Sequence, residues 1–377
     1  MRRAFAIAAS IVLLASFVFC CLIDPAVEGF NDSDLKAPCI VQENEIPIDF
    51  PSSLTSKPQV YTYSLRWEIS DVYAYYGGVM SLEIRNKGQT AIFVYGYGLK
   101  WVNYTEEYFK TTSAYVFPSE NASIGLLKFY APSDRDVGVY TIVLKLCVSN
   151  PSFSAWYDYG EVESADRAVA IKPLAIEREY LIKSNLMSYF NRVKSLVNCT
   201  AVSDVVKEIK NAEPGNYSTL QIARAFQWVR DHIEYEKENE TDIWQSAEET
   251  LMRKRGDCED QAILLASIIT ALGGNARINF IEGHAFTTVF ISMYQSELAN
   301  VEESLWSYYG TNVTMHIIHY MGYWLVIDTA GSMYAGGLPA NASPIRANSN
   351  AAELTKYELW TFVSTNWLIS IDALQDR

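Results

Sequence analysis

Cys258, His284 and Asp328 have the types and the chain order of a nucleophile, a general base and an orienting acid. Cys258 sits in Arg255-Gly256-Asp257-Cys258-Glu259-Asp260, directly ahead of the apolar run 262–269. A glycine and an acidic cap put the thiol in the first turn of a buried helix, where backbone N–H groups and the positive dipole end favour a thiolate. His284, in Gly283-His284-Ala285, precedes the apolar run 285–291 and falls at the start of a strand. Asp328 closes the strand-like Trp324-Leu325-Val326-Ile327, and a carboxylate there needs a partner, which His284 supplies. The Cys258 backbone N–H would serve an oxyanion hole, with Gln245 and Trp244 as candidates for a second donor. A small buried cysteine, a satisfied core histidine and a turn-capping aspartate are the competing readings of the three positions.

The remaining histidines offer less. In Met315-His316-Ile317-Ile318-His319 the two rings differ by an odd number of residues, so in a strand they point to opposite faces and cannot share a metal. His232 reads as a packing or surface residue of a helix. No closed set of Cys and His ligands exists, which argues against zinc.

The elements that must carry these residues divide the chain. Residues 1–23 read as a signal or membrane anchor, 24–58 as a linker without periodicity, 59–172 as a β-sandwich, and 173–377 as an α+β domain with a helical lead-in. Tyr61, Tyr63, Leu65, Trp67 and Ile69 alternate with polar residues, and 80–85 and 138–147 do the same, separated by Gly- and Pro-containing turns. Short strands at this spacing predict an immunoglobulin-like sandwich, read as a spacer or adhesion module. From 173 the period becomes helical. Leu181, Leu186, Tyr189, Val193 and Val197 line one face, and Ile222, Ala225, Phe226, Val229 and Ile233 another, with Ser218 or Thr219 as the second helix's cap. The nucleophile's helix is expected to pack on an antiparallel sheet.

The run 244–251, Gly256-Asp257-Cys258-Glu259-Asp260, Gly283-His284-Ala285-Phe286 and the strand ending at Asp328 together resemble the transglutaminase-like superfamily, and more narrowly the prokaryotic transglutaminase-like cysteine proteinases. The resemblance spans about residues 219–331. It implies a papain-like core and a triad of Cys258, His284 and Asp328, with no required cofactor. Asp328 is followed by Thr-Ala where Pro-Thr is common, and the 43 residues between His284 and Asp328 hold an inserted segment around 294–313. Asp257, Glu259 and Asp260 crowd the thiol and oppose its ionisation, so a counter-cation is needed: His284 as imidazolium, or Ca²⁺ on the hard oxygens of Asp257 and Glu259. Some of the similar proteinases use calcium at an equivalent Asp-Cys-Glu.

Composition bounds the setting. The net charge of −14 argues against a nucleic-acid partner, because counterion release needs a basic footprint. Arg2-Arg3 precede 20 residues without a charge, enough for a secretion signal or a membrane span of ~20 residues. Eight Asn-x-Ser/Thr triplets, at Asn31, Asn103, Asn121, Asn198, Asn216, Asn239, Asn312 and Asn341, suit an exported glycoprotein. Of the cysteines beyond the N-terminal segment, Cys39, Cys147 and Cys199 could form at most one disulfide beside a catalytic Cys258. The sequence therefore reads as an exported, membrane-anchored cysteine hydrolase acting on peptide or side-chain amides of a protein or peptide substrate at the cell surface. The alternatives are a cross-linking transglutaminase and a catalytically silent surface-binding protein.

Overall fold

The computed structural model describes residues 42–49, 61–151, 156–174, 181–184, 187–237, 243–346, 360–363 and 367–373. The expected anchor at 1–23 lies outside them. No helix among the described residues is long and apolar enough to cross a membrane.

The N-terminal part is β-rich, as the alternation predicts. A four-stranded sheet runs in the order β1 (Gln42–Asp49), β2 (Thr62–Ile69), β4 (Gly78–Asn86), β7 (Asn121–Phe129). The other sheet is ordered β3 (Val72–Tyr73), β10 (Arg167–Lys172), β8 (Val137–Ser149), β5 (Ile92–Trp101), β6 (Glu107–Val116), with β9 (Trp156–Glu163) also paired to β8. The two bury one apolar core between them, containing Trp67, Leu82, Tyr97 and Tyr140. The Trp67 indole N–H donates to the Tyr140 hydroxyl at 2.9 Å across that core, so neither polar atom is left unsatisfied. Strand β1 lies inside the segment expected to be a linker. Its register, Gln42 to Ile69 through Asp49 to Thr62, makes it an added edge strand.

The C-terminal part is α/β. Its sheet runs β11 (Leu181–Ser184), β20 (Trp367–Asp372), β14 (Ala276–Ile281), β15 (His284–Ser292), β17 (Tyr323–Ile327), β16 (Ile317–His319). All neighbours are antiparallel except β11 with β20. Leu181, expected on a helix face, therefore lies in a strand. The helical lead-in begins later, as α1 (Met187–Leu196), α2 (Ser203–Ala212) and α3 (Thr219–His232). Ser218 is the α3 cap and accepts from the Gln221 N–H. Then follow α4 (Ala247–Arg253), which a Ser246–Glu249 capping box opens, and α5 (Cys258–Leu272). Thirteen of the 15 residues of α5 are buried, which is why its sequence is apolar on every side rather than on one stripe. The segment between His284 and Asp328 supplies α6 (Leu298–Tyr309), which packs on α3. Two small parallel strands, β12 (Glu234–Tyr235) and β13 (Arg255–Gly256), bring the end of α3 beside the start of α5. β18 (Ser343–Arg346) and β19 (Trp360–Val363) form a separate antiparallel pair.

Candidate active site

Three ends of regular elements meet at one end of the sheet. Cys258 opens α5, His284 opens β15 after the Glu282-Gly283 turn, and Asp328 follows the last residue of β17. β15 and β17 pair with Thr287 opposite Ile327, so His284 and Asp328 emerge on neighbouring strands. α5 lies on β15, fixed by the Thr287 hydroxyl donating to the Ala262 carbonyl at 3.0 Å.

Glycine makes the approach to the thiol possible. A Cβ at Gly256 would lie 2.6 Å from the Asp260 Cβ, inside any real contact distance. Asp260 is fully buried and serves the N-terminal turn: it accepts from the Gln245 N–H at 2.6 Å, from the Gln245 side-chain amide, and from the Asp257 N–H. The Gln245 amide thus donates to Asp260 in this arrangement. Trp244 is buried, stacked on Phe280 at 4.9 Å with the Arg192 guanidinium over its ring at 3.9 Å.

The acid is held from all sides. His284 Nε2 lies 2.6 Å from Asp328 Oδ2, and both side chains are essentially inaccessible. Asp328 Oδ1 also accepts from the Ala330 and Gly331 N–H groups at 3.1 and 2.9 Å, and Oδ2 from the Ala340 N–H at 2.9 Å. A carboxylate so placed is an acceptor at every oxygen, which assigns the Nε2 proton to the imidazole. Nδ1 is then the basic nitrogen, and it is buried with no hydrogen-bond partner among the described residues. Gly331 is required for this closure, since a Cβ there would meet Asp328 Oδ2 at 2.4 Å and the Ala340 Cβ at 2.5 Å.

The thiol is neighbour to the histidine's strand and to its own helix's carboxylates. Cys258 Sγ donates to Glu259 Oε2 at 3.2 Å. Burial pushes the thiol well above its usual range, Glu259 and Asp257 push it further, and the Ala285 N–H, one residue past His284, pulls it down. The helix dipole that the sequence offers in favour of a thiolate is outweighed here by desolvation and two carboxylates. Tyr235, brought in by the β12–β13 pairing opposite Gly256, faces the same cluster: burial raises its phenol above the ordinary range, and the charges of Cys258, Asp257, Glu259 and Asp328 add to it. Sequence reasoning overlooks Tyr235, because its proximity arises from a two-residue strand with no periodic signal.

Among the described residues no three His, Cys, Asp or Glu side chains come together as a metal site, and Glu259 turns to the thiol. His316 is buried while His319 is exposed and stacked on Tyr323, as their odd spacing predicts. His232 is exposed and stacks on Trp228. No disulfide joins Cys147, Cys199 and Cys258.

Residues 203–296 match the Transglutaminase-like superfamily, a span that includes Cys258 and His284 and stops before Asp328. No curated protein matches the sequence. Among solved structures, one described as the crystal structure of a protein from Archaeoglobus fulgidus shares 9% identity over 35% of this chain and 98% of its own, with a TM-score of 0.18.

Proposed function

We propose that this chain, which carries a transglutaminase-like superfamily domain over residues 203–296, is a cysteine hydrolase of peptide or side-chain amides. The supporting observation is the 2.6 Å contact between His284 Nε2 and Asp328, which leaves Nδ1 as a buried base beside the strand residue that touches the thiol. Cys258 gives its proton to His284 Nδ1 as sulfur bonds to the amide carbonyl carbon. The tetrahedral oxyanion forms at the α5 N-terminus, where the Cys258 N–H and the helix dipole stabilise it. Its collapse breaks the C–N bond, and the leaving amine takes the proton from Nδ1. Water, deprotonated by the same nitrogen, then cleaves the thioester, releasing the acid and restoring the thiol. Asp328 holds the tautomer and offsets the imidazolium charge throughout. An amine in place of water would make the reaction a cross-link.

We read the protein as exported, with the two-sheet N-terminal domain immunoglobulin-like. Five of the sequon asparagines, Asn103, Asn121, Asn216, Asn312 and Asn341, are exposed, in keeping with this. The full chain and Cys258→Ala should be compared on an unfolded protein substrate, reading new amino termini, ammonia, and incorporation of a fluorescent primary amine. Hydrolysis predicts either of the first two from the wild type alone. The third as the dominant signal would make the enzyme a cross-linker, and equal signals from both proteins would sink the enzymatic reading.

A further inference from the structure

The loop that carries Asp328 does not stand on the catalytic domain alone. After Asp328 the chain runs out and returns, and three consecutive residues on its return each tie a different part of the molecule. The Ala340 N–H donates to Asp328 Oδ2 at 2.9 Å, the Asn341 amide donates to the Gly283 carbonyl at 3.0 Å, just before His284, and the Ala342 carbonyl accepts from the Tyr73 hydroxyl at 2.9 Å. Acid, histidine turn and β-domain are thus linked through one tripeptide. Asn341 holds φ 58° to do so.

The middle of the loop is fixed the same way. Gly336, at φ 92°, gives its N–H to the Val326 carbonyl two residues before Asp328, and its carbonyl accepts both the His316 N–H and His316 Nδ1 at 2.8 Å. With Nδ1 donating, His316 Nε2 is an acceptor, and the Tyr76 hydroxyl donates to it at 3.3 Å. Tyr73 and Tyr76 come from one tight turn in the β-domain, closed by reciprocal hydrogen bonds between Tyr73 and Gly77. Both rings are buried. The tightness is built in: a Cβ at Gly77 would fall 1.8 Å from the Phe129 carbonyl oxygen. Arg230 adds a third tie, donating to the Ser332 carbonyl while its guanidinium lies 3.7 Å from Glu68 of β2.

We propose that Tyr73 and Tyr76 are positioning residues for the triad, Tyr73 through Ala342 of the acid loop and Tyr76 through His316, which holds the loop's Gly336, so that the N-terminal domain is part of the catalytic unit and not a spacer. The inference rests on the proposed role of Cys258, His284 and Asp328. Neither tyrosine touches the reacting atoms; each sets where Asp328, and hence His284, is held.

The test uses the full chain with Tyr73→Phe, Tyr76→Phe and the double variant, and Tyr75→Phe as control, because Tyr75 in the same turn is 70% exposed. Phenylalanine keeps each ring and removes only the hydroxyl. Two quantities are read: the pH profile of Cys258 alkylation by iodoacetamide, followed on its own peptide by mass spectrometry, and kcat against KM for amide release. The folded fraction is measured on the same samples by near-UV circular dichroism. The double variant should lose about tenfold or more in kcat with KM nearly unchanged, and its alkylation profile should move toward that of His284→Ala. Tyr75→Phe should match the wild type. Rates within twofold of the wild type, or a loss that the folded fraction accounts for entirely, overturn the proposal. A wild-type alkylation profile indifferent to His284→Ala would instead remove the triad reading beneath it.

Discussion

Protonation of Cys258 is a contest between groups within a few ångströms of one sulfur. Burial and the carboxylates of Glu259 and Asp257 keep the thiol neutral, against the Ala285 N–H. Glu259→Gln removes a charge and a preferred acceptor, so alkylation should be faster at neutral pH, with the midpoint of its profile at lower pH than in the wild type. A midpoint at the wild-type value would show that Glu259 is not what holds the proton. The same shift has a thermodynamic sign. The folded pKa is raised, so the contribution is complete below the unfolded thiol's ~8.5 and is lost as pH climbs above it, because the unfolded chain releases the proton first. Stability should therefore fall less steeply above that pH in Cys258→Ala, as read by urea unfolding at a series of pH values. At the acid, Asp328→Asn keeps the shape but supplies an N–H where the imidazole needs an acceptor. The wrong tautomer should cost about 10³–10⁴-fold in kcat with the fold intact.

Elements bring these residues together by close approach, and glycines mark where. In Gly331→Ala the added methyl would meet Asp328 and Ala340. A loss of about 1–3 kcal/mol in unfolding free energy and a larger loss of kcat are expected, since the displaced loop carries the acid. A variant as active as the wild type would show that the loop has room to adjust. Ser246→Ala, by contrast, breaks the α4 cap and should cost about 1 kcal/mol with little effect on turnover per folded molecule. Much of this scale is readable from sequence. Cys258 at a helix start, His284 at a strand start and Asp328 at a strand end are local features, announced by Gly-Asp before an apolar run and by runs of β-branched residues. The alternation of Tyr61 through Ile69 predicts a strand buried on one face, and Tyr61, Tyr63, Leu65, Trp67 and Ile69 are all buried. What escapes is pairing. Strand β11 is four residues long and parallel to β20 nearly 200 residues away, too short to show a period against the helical spacing of Leu181 with its neighbours. Likewise, that Gln245 serves Asp260, and that Glu259 accepts a hydrogen bond from the thiol, depend on side-chain direction, which spacing does not encode.

At the scale of the whole molecule, the two domains share a junction with apolar and polar contacts. Val79 of the β-domain packs in the same core as the α5 helix, and the Lys110 ammonium donates to the Tyr309 carbonyl at the end of α6. At the centre of the junction burial holds His316 down to about 3, with Lys128 lowering it further against the Gly336 carbonyl. A depressed folded pKa contributes stability that is present above the unfolded value of ~6.5 and lost as pH falls toward 3. Acid should therefore loosen the junction of the domains, and His316→Gln should show a shallower loss of thermal stability between those pH values. An unchanged slope would place the acid sensitivity elsewhere. The covered position of the nucleophile has a further consequence for its chemical lifetime. Oxidation by peroxide begins at an accessible thiolate, and Cys258 is 2% exposed with its thiol donating to Glu259. On the proposed reading, the resting thiol would stay unoxidised until a bound substrate draws its proton to His284, and wild-type protein exposed to peroxide should show less Cys258 sulfenic acid than Glu259→Gln.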